Sequence, residues 1–486
     1  MNILMVYPRY PDTFWSFKHV MGFMRKKAAY PPLGLMTVAA MLPHGWNKRL
    51  VDLNVSELKE EDVRWADMVF ISAMLVQKAG VEEVIARCKG KVVVAGGPLF
   101  TSQRIPGVDH YVLNEAEVTL PRFLRDLAKG SAKKVYSSKI RPDIRQTPIP
   151  QWDLIDFRDY MTVGVQYSRG CPFNCEFCDI VIMNGRVPRT KTPEQVINEL
   201  QALYRTGYRG SLFLVDDNFI GNKARVKELL PVVIEWQKKR KYPFKFLTEA
   251  SINLADDEHL MELMSAANFF KVFLGLETPS TAGLEECSKM QNTKRSLPDA
   301  VWRIHQHGMQ VMGGFIVGFD SDTEHIFQAQ IEFIQKIGVV TAMVGLLNAI
   351  PQTRLWNRLK DEGRLLSDST GENTDATINF VPKMDTAKLI EGYKRILSTI
   401  YSPRVYYERI NQLIAHYRPT VRSHVSWREL HAFFMSMWRI GVVSRSRFLY
   451  WKLIFKTLFT KIRAFPVAVE LAICGLHFEK SVQRIV

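Results

Sequence analysis

Tyr167-Ser-Arg-Gly-Cys171-Pro-Phe-Asn-Cys175-Glu-Phe-Cys178 is the stretch on which the reading of this chain turns. The apolar run before it, Met161 to Tyr167, has the length of a short buried strand, so the three cysteines sit in a loop leaving a strand end. Thiolates at C-x3-C-x2-C spacing can take three corners of a cubane iron–sulfur cluster. With no fourth cysteine nearby, one iron is left open to another ligand. A structural zinc site would want four protein ligands, commonly in two close pairs, and neither a further Cys nor a His lies near this loop. Inert core thiols would be scattered, whereas three of the six cysteines fall between 171 and 178.

The chain has 486 residues, room for two or three domains, and 47% apolar with 23% charged residues is a globular composition. Its six cysteines do not make a disulfide framework at this length, and a low-potential cluster requires a reducing compartment. The start, Met1-Asn-Ile-Leu-Met-Val-Tyr7, has no basic n-region and too short an apolar run for a signal peptide; it reads as a first strand, and a cytoplasmic location is expected. No stretch offers the roughly eighteen uninterrupted apolar residues of a membrane span. The net charge of +16 calls for an anionic partner or surface. Residues 401–486 hold 14 Lys and Arg against 4 Asp and Glu, so most of that charge lies in the C-terminal region.

Ahead of the cysteines, Ile3 to Tyr7, Arg49 to Leu53, Met68 to Ser72, Lys91 to Ala95 and His110 to Leu113 read as strands, with helical patterns such as Leu33 to Leu42 and Val81 to Cys88 between them. This alternation implies a parallel, doubly wound sheet over residues 1–130. Ligands of such sheets gather at the carboxyl ends of the strands, here the loops Tyr7 to Asp12, Ala73 to Gln77 and Gly96 to Thr101. The Gly96-Gly97-Pro98 turn would let a backbone approach a bulky ligand. Residues 131–160, with closely spaced prolines at 142, 148 and 150, read as a linker.

From 161 to 367 six strand–helix units recur, with strands at Val163 to Tyr167, Ser211 to Val215, Phe244 to Thr248, Lys271 to Gly275, Gln310 to Ile316 and Ala342 to Leu347, which fits a partial (β/α)6 barrel. Polar residues at the carboxyl ends of barrel strands are candidates for chemistry. They are Asp216-Asp217-Asn218, Glu249-Ala-Ser251 and Glu277, although Asp216 or Asp217 could equally cap a helix. Arg169 and Arg189 flank the cysteine loop and would offset its charge or reach the carboxylate of a ligand bound there, or else be ordinary surface arginines.

Residues 368–486 lose the strand pattern and become helical, basic and aromatic. Between Arg445 and Arg463, Arg445, Lys452, Lys456 and Arg463 share one helical face, while Phe448, Leu449, Trp451, Phe455, Leu458, Phe459 and Ile462 cover most of the rest. Two readings stay open: a helix lying in a membrane interface, on the inner face of the membrane, or one packed on the barrel with a solvated basic stripe. No nucleic-acid module accompanies the charge, so no nucleic-acid partner is expected.

Cys171, Cys175 and Cys178, with Phe177 before the last of them, resemble the signature of the radical S-adenosylmethionine (radical SAM) enzymes. The resemblance implies a [4Fe–4S] cluster whose open iron is chelated by SAM, and an electron that cleaves the sulfonium to methionine and a 5′-deoxyadenosyl radical. It implies SAM contacts at Phe177, Asp216, Glu249, Ser251, Glu277, Gly314 and Val317, the last two in the glycine motif Gly313 to Gly318. An α/β domain directly before such a core is similar to the cobalamin-binding domain of the B12-dependent radical SAM family. That implies cobalamin near Met74, Leu75, Val76, Gly96, Gly97 and Glu115. The first loop, Pro8-Arg-Tyr-Pro-Asp12, lacks the Asp-x-His-x-x-Gly signature, so no histidine ligand to cobalt is expected there and the lower face would meet Met74, Leu75 or Val76. Cys88 and Cys287 are isolated and read as structural, unlike the extra cysteines of the methylthiotransferase branch.

The Tyr7-Pro-Arg-Tyr-Pro11 run, the cysteine loop, Val215-Asp-Asp-Asn-Phe-Ile-Gly-Asn222 and the helical extension together resemble the methyltransferase subgroup that includes the hopanoid C-2 methylase. The resemblance implies methylation of an unactivated carbon in a hydrophobic, isoprenoid-like substrate, with two SAM molecules used and an electron donor such as flavodoxin or ferredoxin. The alternatives are a B12-binding radical SAM cyclase or oxidoreductase without methyl transfer, and a non-catalytic iron–sulfur protein docking on an anionic surface.

Overall fold

The computed structural model describes residues 1–372, 374–422 and 426–486. Six parallel strands form the N-terminal sheet: β1 (Asn2–Tyr7), β2 (Asn47–Asp52), β3 (Met68–Ser72), β4 (Val92–Gly96), β5 (His110–Val112) and β6 (Val135–Tyr136). Their spatial order is 2-1-3-4-5-6, a doubly wound sheet with helices on both faces. Runs such as Ile3-Leu-Met-Val6 and Val93-Val-Ala95 are buried on both sides, as interior parallel strands require. The strand β6 lies inside the segment expected to be a linker; two residues at a sheet edge are too short to show a period.

The second sheet contains β7 (Val163–Val165), β10 (Gly210–Leu214), β11 (Phe244–Ala250), β12 (Phe269–Glu277), β13 (Gln310–Val317) and β14 (Ala342–Leu346), all parallel and in chain order. Its edge strands β7 and β14 do not pair with each other, so this is an open (β/α)6 barrel. A two-stranded antiparallel ladder, β8 (Ser168–Arg169) and β9 (Arg189–Thr190), stands at its mouth.

The remainder is helical: Thr386–Ile400, Pro403–His416, Trp427–Trp438, Arg447–Thr460 and Phe465–Val482. Their apolar faces join the barrel core in one continuous cluster. The N-terminal unit adds a segment to that cluster. Phe14 stacks on Phe478 at 4.6 Å, and His477 Nε2 lies 2.9 Å from the Phe14 carbonyl. Sequence periodicity did not reveal this insertion, because short 3-10 and α turns from Phe14 to Met24 carry no sustained repeat.

Candidate active site at the barrel mouth

The cysteine loop is closed at its root by the pairing of Ser168 with Thr190 and of Arg169 with Arg189. Two aspartates from the end of β10 hold that root. Asp216 accepts hydrogen bonds from the main-chain N–H groups of Tyr167 (2.8 Å) and Ser168 (2.9 Å) and from the Ser168 hydroxyl (2.7 Å). Asp217 accepts from the Gly170 N–H (2.6 Å) and the Asn184 amide (2.9 Å). Gly170 sits at φ +100°, where an added Cβ would lie 2.9 Å from the Gly185 carbonyl, so only glycine makes this turn. Burial pushes the Asp216 carboxyl up to about 7 despite these bonds. Both its oxygens are engaged by the loop, and what this strand end can offer a ligand is main chain. Neither aspartate caps a helix.

The three thiols are unpaired and partly exposed. Asn218 Nδ2 approaches Cys171 Sγ at 3.8 Å and Gln291 Nε2 approaches Cys175 Sγ at 3.9 Å. Burial pushes the Cys178 thiol up. Lys289, a cation whose charge is felt at Cys171 and Cys178, pairs with Glu277 at 2.6 Å. Among the described residues no three His, Cys, Asp or Glu side chains converge on a single-ion site. Zinc would require such convergence, whereas three irons of one cubane each take a different thiolate. Free thiols, amide donors and a buried ammonium beside them suit an anionic cluster.

Around the mouth, Glu249 on β11 has no hydrogen-bond partner for its carboxylate among the described residues. Burial, with the charges of Asp217 and Asp216, pushes it up to about 7. The Ser251 hydroxyl donates to Asn253 Oδ1 (2.6 Å) and accepts from Asn218 Nδ2 (3.1 Å). Glu277 adopts φ +63° at the end of β12. Its pair with Lys289 lies over Gly275, where a Cβ would come within 2.6 Å of the Lys289 Nζ. Gly314 is in register with Gly275, and a Cβ there would meet the Phe273 ring at 2.9 Å. The Val317 side chain is enclosed in the core, and Phe177 packs on the small cluster of Cys287, Phe319 and Leu347.

Three groups of residues around this site have no local signature. Arg358, on the helix Arg354–Asp361, pairs with Glu176 at 2.8 Å from the far side of the loop, and Arg354 donates to the Asn174 carbonyl. Lys289 is the second. The third is a clasp between the two units: Arg169 donates to Glu115 (2.8 Å) and to both oxygens of Glu117 (2.8 and 3.1 Å), while Arg189 makes two 2.9 Å bonds to Glu115. The arginines flanking the loop are thus not surface residues, and their guanidinium groups are engaged by Glu115 and Glu117.

Behind the clasp opens a cavity whose empty volume, mouth included, is about 1590 Å³. It runs from the carboxyl ends of β3, β4 and β5 toward the cysteine loop and is lined by Ser72, Gly96, Gly97, Glu115, Arg169 and Asn184, among others. Gly97 has φ +95°, and a Cβ there would sit 2.9 Å from Ser72 Oγ; one on Gly96 would sit 2.8 Å from the Val112 carbonyl. The two glycines keep the floor open, which fits a large planar ligand such as a corrin. Among the described residues no histidine lines the cavity. Met74, Leu75 and Val76 stand on the loop after β3, outside this lining. Met74 is exposed, and Leu75 and Val76 lie against Gly371.

A doubly wound sheet feeding a large cavity, set against an open barrel with a three-cysteine loop, defines a corrinoid-binding radical SAM enzyme. Residues 26–124 match the B12 binding domain, 165–334 the Radical SAM superfamily, and 353–486 a domain of unknown function. The chain is 40% identical to an uncharacterized methyltransferase of Synechocystis sp., over 98% of this chain and 91% of that one. It is 33% identical to the hopanoid C-2 methylase of Rhodopseudomonas palustris, over 93% and 88%. The fold is shared with the cobalamin-dependent S-adenosylmethionine radical enzyme OxsB, solved with aqua-cobalamin bound: TM-score 0.62 at 13% identity, covering 99% of this chain and 80% of that one. The chain belongs to the cobalamin-dependent radical SAM methyltransferase family, whose cofactors are a [4Fe–4S] cluster, SAM and cobalamin. No described helix is long and apolar enough to cross a membrane.

Proposed function

We propose that the enzyme methylates an unactivated carbon of a polycyclic or isoprenoid lipid, acting at the inner surface of a membrane and fed by a flavodoxin- or ferredoxin-like donor. The observation that carries the substrate class is the match to the hopanoid C-2 methylase along nearly the whole chain, helical region included. The barrel interior supports it. Trp15 meets Phe273 edge-on at 5.6 Å and donates to Met343 Sδ at 3.0 Å, and Tyr30 packs on Phe213 at 5.4 Å. These half-buried aromatics offer an apolar wall beside Glu249.

When bound, the cluster, SAM and cobalamin supply reductive SAM cleavage and methyl transfer. In this reading Cys171, Cys175 and Cys178 hold three irons, and Lys289 balances their charge. Glu249 and Ser251 receive the SAM ribose hydroxyls; the main chain at Asp216, Gly314 and Val317, with Phe177 and the Glu277 turn, encloses the rest of SAM. Gly96, Gly97 and Glu115 would carry the corrinoid. The domains are 1–130, a linker 131–160, 161–367 and 368–486. Arg169 and Arg189 fix the distance between the two cofactor sites through their pairs with Glu115 and Glu117.

The test is incubation of reconstituted enzyme and an isoprenoid lipid extract with SAM labelled at its methyl carbon. Label in the lipid product supports the reading. Deoxyadenosine without label transfer would indicate the cyclase-type reaction instead, and label only in water-soluble product would overturn the substrate class.

A further inference from the structure

The helices Trp427–Trp438 and Arg447–Thr460 form a hairpin that nothing among the described residues covers on its outer side. The Ser436 hydroxyl and the Tyr450 hydroxyl lie 2.7 Å apart inside it, and Trp451 Nε1 donates to the Gly441 carbonyl at the turn. The inner faces, Ala432, Ile440, Tyr450, Leu453, Ile454 and Thr457, are buried. Outside, apolar side chains recur at helical spacing: Trp427, Leu430, Phe434 and Trp438 on the first helix, then Val442 and Val443 at the turn. On the second helix and just beyond it they are Phe448, Phe455, Phe459 and Ile462. Trp427 is 86% exposed, Phe448 75% and Phe459 79%. Isolated exposed apolar residues are ordinary, but an apolar stripe on each of two consecutive helices is a surface that water does not stabilise.

The charge says what would cover it. Residues 426–463 hold eight Lys and Arg against Glu429 alone. That glutamate is already engaged by Lys245 and the Ser426 N–H. Arg428, Arg445, Arg447, Lys452, Lys456 and Arg463 are exposed, and none has a carboxylate within ion-pair distance among the described residues. A second copy would set two cationic patches face to face, which like-charge repulsion opposes. Aromatic and aliphatic side chains ringed by unpaired cations match the boundary of an anionic bilayer, where rings enter the headgroup level and Lys and Arg meet lipid phosphates.

We infer that this hairpin docks the enzyme on an anionic phospholipid surface, whatever carbon it methylates. The full-length reconstituted protein is floated with vesicles of phosphatidylcholine alone and of phosphatidylcholine mixed with phosphatidylglycerol, without substrate. It should bind the anionic vesicles far better, and added salt should weaken binding. R445Q with K452Q should weaken partitioning by about 25-fold, at roughly fivefold for each cation. F448Q with F459Q should weaken it by roughly a hundredfold. All four side chains are already exposed, so melting curves should match the parent. Equal binding to neutral and anionic vesicles, or unchanged binding by both variants, would overturn the inference. So would a dimer by light scattering that F448Q with F459Q dissociates, or tighter retention by duplex DNA than by vesicles.

Discussion

Replacing Arg169 with glutamine removes the cation that Glu117 touches. In the native protein burial raises the Glu117 carboxyl, but hydrogen bonds and charge from Arg169, with the Thr147 hydroxyl, more than offset this and hold it below its ordinary value. Its folded pKa is therefore depressed. The stability it contributes is present above the unfolded value of about 4.3 and is lost as pH falls through the lower folded value. In R169Q the same carboxylate stays buried without a cation, and Glu115 keeps Arg189. Breaking one side of a buried pair costs about 3–5 kcal/mol. At roughly 2–4 °C per kcal/mol, the first thermal transition should fall by at least 6 °C at neutral pH. The sign of the pH dependence then reverses. Glu117, buried with only neutral hydrogen-bond donors such as the Thr147 hydroxyl left to it, destabilises R169Q most when ionised, so acidification narrows its deficit while the parent loses stability. Because Arg169 lies two residues before Cys171 and spans both units, cobalamin retention should fall with the melting temperature. Differential scanning fluorimetry from neutral to acid pH, with corrinoid absorbance after desalting, measures both. Parallel stability curves for parent and variant, or full corrinoid retention, would refute the reasoning.

Cys175→Ala should leave the reconstituted protein without a complete cluster, with iron content and deoxyadenosine formation both near zero; full activity would contradict the assignment of the loop. Gly97→Ala forces a Cβ to 2.9 Å from Ser72 Oγ at φ +95°, and should cost about 1–3 kcal/mol and most of the cobalamin bound, read by melting and visible absorbance. Glu249, pushed up to about 7, should make SAM affinity rise as pH increases through that value, since its carboxylate accepts hydroxyl hydrogens; Glu249→Gln should flatten the profile in a binding titration. Lys289→Gln should shift cluster reduction to more negative potential in a redox titration followed by EPR, by removing a positive charge near the thiolates.

Much of the architecture was legible because its signals are local. Strand β3 is bounded to the residue and the other parallel strands except β6 to within a few, since β-branched runs bounded by turns report on burial over a handful of neighbours. The cysteine spacing, the carboxyl-end acids and the Gly96-Gly97 turn are likewise short-range patterns. The roles of those acids were not: Asp216 looked like a ligand-facing carboxylate, and only the fold shows both its oxygens engaged by Tyr167 and Ser168, nearly fifty residues away.

By itself the sequence determined the class of chemistry and the succession of sheet, barrel and helices. Three thiols at fixed spacing and a repeating strand–helix period are properties of contiguous chain. Tertiary structure alone decided what braces the site, because Glu115 and Glu117 meet Arg169, and Glu176 meets Arg358, across 52 to 182 residues. It also decided which side of the helix Arg447–Thr460 packs inward. That helix is apolar over most of its circumference, and only a core that admits Tyr450, Leu453 and Ile454 leaves Phe448, Phe455 and Phe459 facing out.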